Sequence, residues 1–364
     1  KKTIYISKTL MQHITLTIAF ALSVLMVTLK PAKALAVYLI TLLWYPNYLV
    51  VSIGTIDISV GRVLATVLLL RCITNPKIKN NIKFTNFDIW VTISIAVYVL
   101  TYFTAFPFKE SLENRSGFIM DTYLAYLIRR YTITNLGSLK GVIKCVAIAL
   151  VPLAILGIIE STTGWQLFGP LKRYCPWLDA ENLKNLDARW GLERATGPFK
   201  HPILFGCAFG TFIPLIYFLR LTKGFWKKGS YFFCFVALFG GLSSMSSGSW
   251  VMLITTIFCL VMEKLKKWVK PLLYLGIFSC ISVGIVSNRP FYHVIVSYAN
   301  PIGGGGWHRA RIIDAAIENF DEWWLNGYGG IDPGWGRYTG MSKSDITNEF
   351  ILAGTRYGIW GVIA

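Results

Sequence analysis

The chain has 364 residues, 54% of them hydrophobic and only 15% charged, with 13 Trp and a formal net charge of +18. A water-soluble fold of this length has no interior able to take up so much apolar surface, so a soluble globular domain is excluded and a protein with many membrane spans is expected. The basic excess reads as charge facing anionic lipid and requires no nucleic-acid partner.

Taken in chain order, apolar stretches fall at 14–29, 34–52, 58–70, 87–106, 117–128, 141–159, 202–219, 231–247, 249–262 and 271–287. Each is close to, or a little short of, the length that crosses a hydrocarbon core of about 30 Å. An eleventh begins near Thr347. Lys1 at the start and the apolar ending YGIWGVIA read as an incomplete chain, and 14–29 lacks the small-residue cleavage site of a secretory signal. The expected fold is all-α, a polytopic transmembrane helical bundle of about 10–12 spans. It divides into a membrane domain at 1–287 with an external loop at 160–201, an external module at 288–346, and the start of a further span at 347–364.

Lys and Arg orient this bundle. Arg71, Lys77, Lys79 and Lys83 precede 87–106; Arg129, Arg130, Lys140 and Lys144 sit before or at the start of 141–159; Arg220, Lys223, Lys227 and Lys228 follow 202–219; Lys264, Lys266, Lys267 and Lys270 precede 271–287. Every second connection is basic, which puts those four inside the cell and 107–116, 160–201, 243–249 and 288–346 outside. Three full spans before Arg71 would leave Lys1, Lys2 and Lys8 outside. One of the first three segments is therefore expected not to cross fully, and 58–70 is short and carries Arg62. Six of the seven Cys lie in or beside apolar stretches and Cys175 alone falls in an external loop, a pattern with neither a disulfide framework nor a zinc site.

Polar chemistry is expected in the two long external loops. The first contains LDARWGLERATGPFKHPILFG, which brings Arg189, Glu193, Arg194, Lys200 and His201 to the mouth of the span at 202–219. A helix starting at Pro202 aims free N–H groups and its positive dipole end outward, where an anion binds well. The plainer roles are headgroup contact for Arg194 and Lys200 and helix capping for His201. In the second loop, 307–320 reads as an amphipathic helix with Ile313, Ala316, Ile317 and Phe320 on one face and Arg311, Asp314, Glu318 and Asp321 on another. Arg309 and Arg311, in its first turn beside Gly303 to Gly306, suit a grip on phosphate. The glycine run itself matches neither a Walker loop nor GxGxxG and reads equally as a hinge. Trp323, Trp324 and Trp335 suit stacking on sugar rings or an aromatic belt at the interface. Ser243, Ser244, Ser246, Ser247 and Ser249 suit hydrogen bonding between helices.

In this order, RATGPFKHP (194–202) before a span, LSSMSSGS (242–249), HRARIIDAAIENF (308–320) followed by WWLNGYG (323–329), and TNEFILAGTRYGIWG (347–361) resemble the O-antigen ligase/polymerase superfamily of bacterial envelope glycosyltransferases. The resemblance covers roughly residues 190–364. It implies a GT-C-like, metal-independent membrane enzyme without a cofactor, working at the outer face of the bacterial cytoplasmic membrane. The donor would be a glycan on undecaprenyl pyrophosphate, and the acceptor a sugar hydroxyl on another lipid-linked repeat or on lipid A core. Carried over onto the family's R-x-x-G motif and its second motif, Arg194 and Arg309 would hold the pyrophosphate, with Arg311 and Arg189 nearby, because the guanidinium fork binds phosphate oxygens bidentately. The general base is the point of departure. Where many members have His before the Asn that opens the last span, this chain has Thr347 before Asn348. The candidates are Glu349, His308 and Asp345, with Glu349 first by position and a plain helix-terminal carboxylate as its alternative role. Two other classes compete: a lipid-linked oligosaccharide transporter or flippase, expected to carry charged or broken helices in mid-membrane, and a non-catalytic envelope assembly protein.

Overall fold

A computed structural model describes residues 2–54, 56–76, 85–175, 188–298 and 306–364. In chain order the described α-helices longer than a single turn are α1 (Lys2–Thr28), α2 (Pro31–Trp44), α3 (Val60–Thr74), α4 (Asn86–Ala105), α5 (Phe108–Asp121), α6 (Tyr123–Thr132) and α7 (Leu136–Thr163). They continue with α8 (Pro202–Phe218), α9 (Phe225–Leu242), α10 (Ser247–Lys264), α11 (Lys266–Val286), α12 (Phe291–Tyr298), α13 (Gly306–Glu318) and α14 (Glu349–Ile363). A two-stranded antiparallel hairpin, β1 (Val50–Ile53) and β2 (Ile56–Ser59), joins α2 to α3.

Among the described residues, six stretches are long and apolar enough to cross a membrane: Thr9–Thr28, Asn86–Thr104, Leu136–Thr163, Pro202–Leu221, Ser247–Lys264 and Lys266–Val286. Each overlaps one expected apolar stretch, and the molecule is a helical, membrane-embedded protein. Other boundaries move. The stretch 34–52 is not one helix: α2 stops at Trp44 because Tyr45 precedes Pro46 and is driven to an extended conformation (φ −95°, ψ 122°), and the chain then enters β1. The stretch 117–128 is broken at Thr122, between α5 and α6. The stretch 231–247 ends as a helix at Leu242 and turns through Met245, at φ +43°. By length, α2 and α3 rise only about 21 and 22 Å, short of a core of about 30 Å.

Internal contacts divide the chain into two compact units, Lys1–Ile82 with Leu124–Lys266, and Lys83–Tyr123 with Lys267–Ala364. In the first, Arg71 near the end of α3 donates to the carbonyls of Met26 and Leu29, capping the negative end of α1 and fixing α1 and α3 side by side in the same direction. A larger core gathers α7, α8 and α9 around Leu150, Leu153, Phe205, Phe209, Ile213 and Ile216. The helix ends follow from local chemistry. Asn135 caps α7 by accepting from Ser138 N, and Gly164, left-handed at φ 73°, ends it. His201 caps α8, its Nδ1 accepting from Ile203 N at 3.2 Å with Pro202 at the first helical position.

In the second unit α11 has no buried residue, as suits a helix sheathed in lipid. The face of α13 differs from the expected one. Its buried side chains are His308, Ala310, Ile312, Ala315 and Ala316, whereas Ile317 is 58% and Phe320 47% exposed. The helix carries two apolar stripes, and the one that includes small alanines is the one that packs closely. Asn348 caps α14 through Oδ1, which accepts from Phe350 N and Ile351 N. Gly358, at φ 67°, breaks α14, and a Cβ there would overlap the carbonyl of Leu325. The segment 324–328 fills the break: Tyr328 N donates to Thr355 O and Ile359 N to Trp324 O.

Candidate functional site

In the first unit the segment 188–201 is pinned across helix ends. Arg189 and Leu192 exchange backbone hydrogen bonds around Trp190 and Gly191, at φ 54° and 75°, the mirror-image turn that favours a tight hairpin. Arg189 donates to Ser247 Oγ at 3.2 Å, and Trp190 stands edge-on to Trp250. Glu193 N donates to Ser161 O, Ser161 Oγ donates back to Glu193 O, and Ala195 N donates to Ser243 O. Arg194 thus lies half-buried between two residues whose backbone is fixed.

Beneath this strap is a buried polar cluster. Glu160, in the last turn of α7, accepts from Thr196 N (3.1 Å), Thr196 Oγ1 (3.0 Å) and Gly197 N (2.9 Å), so both carboxylate oxygens are used. Lys172 is buried as well and donates to Thr196 Oγ1 at 2.8 Å. Burial pulls the Lys172 ammonium below its ordinary 10.5, and Glu160 draws it partway back. The serine turn packs as small residues do in membranes: Ser249 Oγ donates to Ile203 O, and a Cβ at Gly206 would overlap Ser249 and Ser244.

In the second unit His308 lies at the start of α13, buried, with Nε2 2.8 Å from the backbone carbonyl of Asp345. A carbonyl only accepts, so Nε2 carries a proton, and in the neutral form of the ring the lone pair is on Nδ1. That Nδ1 is buried and has no hydrogen-bond partner among the described residues. Arg309, next in sequence, is half-buried and makes no hydrogen bond or ion pair among the described residues. Arg311 is exposed, with its guanidinium 3.8 Å from Asp314 and over the Trp307 ring. Asp345 is exposed but for this link to His308. Glu349 is exposed at the first position of α14 and lines a cleft of about 430 Å³ with Tyr98, Arg356 and Tyr357. Trp323 is buried, its Nε1 donating to Ala316 O and its ring against Gly354, and Trp335 is wholly buried, whereas Trp324 is 44% exposed. Of these indoles Trp324 has a face open to a sugar. Gly303 to Gly305 of the glycine run lie outside the described residues.

The predicted site residues therefore form two sets, Arg189 and Arg194 in the first unit, and His308, Arg309, Asp345 and Glu349 in the second. Sequence reasoning missed Glu160 and Lys172. It also missed the pair between His293 on α12 and Asp314 on α13, with Nε2 2.8 Å from Oδ1, where Tyr292 donates to the same oxygen at 2.9 Å. Burial and that bond push the Tyr292 hydroxyl up to about 12. Arg115 was missed too. It is buried on α5, donates to Tyr98 O and Tyr357 OH, and lies 3.8 Å from the centre of the Tyr102 ring. No family model, no curated protein and no solved structure matches the chain.

Proposed function

We propose that this chain is a membrane glycosyltransferase of the envelope polysaccharide polymerase or ligase type, moving a glycan from undecaprenyl pyrophosphate to a sugar hydroxyl. The observation that carries the reading is the pairing at the start of α13: a histidine whose tautomer is fixed by Asp345 O, beside an arginine with no protein counter-charge among the described residues. An unmet buried acceptor is unfavourable by about 1–3 kcal/mol, and a substrate hydroxyl donating to Nδ1 relieves it. In this scheme the acceptor oxygen attacks the anomeric carbon and its proton passes to His308 Nδ1. The bond from that carbon to the phosphate oxygen breaks, and Arg309 holds the leaving pyrophosphate. Glu349, exposed at a helix start, then serves as a dipole-facing carboxylate rather than the base.

The test is surface-glycan synthesis in a gene-deleted host carrying His308→Gln or Glu349→Gln. His308→Gln is expected to lower transfer by about two orders of magnitude, the lower range of a general base, and Glu349→Gln to leave most of it. The reverse pattern would return the role to Glu349. A second reading, a lipid-linked oligosaccharide transporter, draws on the break in α14 at Gly358 and on Arg115 buried against α4. It predicts that both substitutions leave glycan bond formation intact.

A further inference from the structure

An apolar groove of about 460 Å³ runs between α8, α9 and α10 in the first unit, walled by Ile213, Leu238, Ile257 and Leu260. It reaches the basic end of these helices, where Tyr217 and Lys264 form its mouth. From Ile257 to Lys264 it follows α10 for about 10 Å. The charges at the mouth do not cancel. Glu263 is fully engaged by Arg220, whose Nη2 lies 2.9 Å from each carboxylate oxygen while its guanidinium covers the Tyr217 ring. Lys264 is exposed and has no hydrogen bond or ion pair among the described residues. Nearby in the chain Lys223, Lys227 and Lys228 are also exposed. An apolar slot inside the span region, ending at an uncompensated ammonium, has the chemistry of one lipid: tail in the slot, negative headgroup on the amine.

We infer that this groove is a binding site for one acyl chain of an anionic phospholipid, its phosphate held by Lys264. The site is separate from the proposed transfer chemistry and lies at the opposite, basic end of α8 and α10 from the strap. It is tested by native mass spectrometry of the purified full chain in detergent, with equal amounts of dipalmitoyl phosphatidylglycerol and dipalmitoyl phosphatidylcholine, which share their tails. The wild type should retain one phosphatidylglycerol in preference by about fivefold, the effect of one lysine beside an anionic headgroup. Lys264→Gln, on an exposed side chain that folding does not depend on, should bring the ratio near one while a lipid is still retained. Leu260→Trp, which fills the slot, should lose the retained lipid of either kind. Equal retention of the two lipids by the wild type, or an unchanged preference in Lys264→Gln, would reduce the groove to ordinary lipid solvation. So would a lipid still retained by a folded Leu260→Trp.

Discussion

Glu160 shows how a single residue sets the geometry of the strap. With its oxygens taken by Thr196 and Gly197, it fixes the two residues that follow Arg194 and Ala195. Glu160→Gln places an NH₂ against Gly197 N–H and leaves Lys172 without its charge partner. A loss of about 3 kcal/mol in unfolding free energy is expected, the effect of breaking a buried pair from one side. Lys172→Met should be much milder, because Glu160 keeps all three of its donors. The pH dependence has a definite sign. Folded Lys172 releases its proton below 10.5 and the unfolded lysine at 10.5, so between the two the unfolded chain binds more protons and stability rises with pH. Thermal midpoints in detergent from pH 7 to 10 should show that rise in the wild type and lose part of it in Lys172→Met; identical slopes would place the titration elsewhere. None of this was legible in the sequence. A lone Glu at the end of an apolar run reads only as the end of a span, and its partners lie 12, 36 and 37 positions away. His201 was legible, since a histidine before Pro at a helix start has little else to do than cap it.

At the scale of elements, the spans were legible wherever one apolar run filled one helix, as in α4, α7, α8, α10 and α11. They were misread where a run continued through a backbone break. Pro46 ends α2 inside the apolar stretch, and the first residues of β1, Val50 and Val51, continue that stretch past the break. On α13 the expected face is met at Ala316, which is buried, but not at Ile317 and Phe320, which hydropathy ranks above the alanines that close packing prefers. Cys175, the natural reporter of the outer face, is 7% exposed against Tyr48 and Leu49 and will resist labelling whichever side it faces. The orientation is better tested with Lys200→Cys on the strap and Lys223→Cys on the basic connection after α8, both exposed, in a chain whose native Cys are replaced by Ala. A membrane-impermeant maleimide should label Cys at 200 in intact spheroplasts and Cys at 223 only after permeabilisation. Labelling of position 223 in intact spheroplasts would invert the bundle.

At the scale of the molecule, Arg189 and Arg194 belong to the first compact unit, and the proposed base and pyrophosphate ligand, His308 and Arg309, to the second. The sequence showed which residue types such a reaction needs, but not which were already committed to the fold. Arg311 is engaged by Asp314, Trp323 and Trp335 are core, and Arg309 is left without a counter-charge among the described residues. The central claim is transfer itself. Its most direct measurement is product formation by the purified chain from a radiolabelled glycan on undecaprenyl pyrophosphate and a sugar acceptor. A new glycosidic bond with release of undecaprenyl pyrophosphate is expected, and a fall of about 10²–10³ in folded Arg309→Lys, where a point charge replaces the bidentate fork. Intact donor in the wild type under conditions where it binds, or full transfer in folded Arg309→Lys, would contradict transfer by this site.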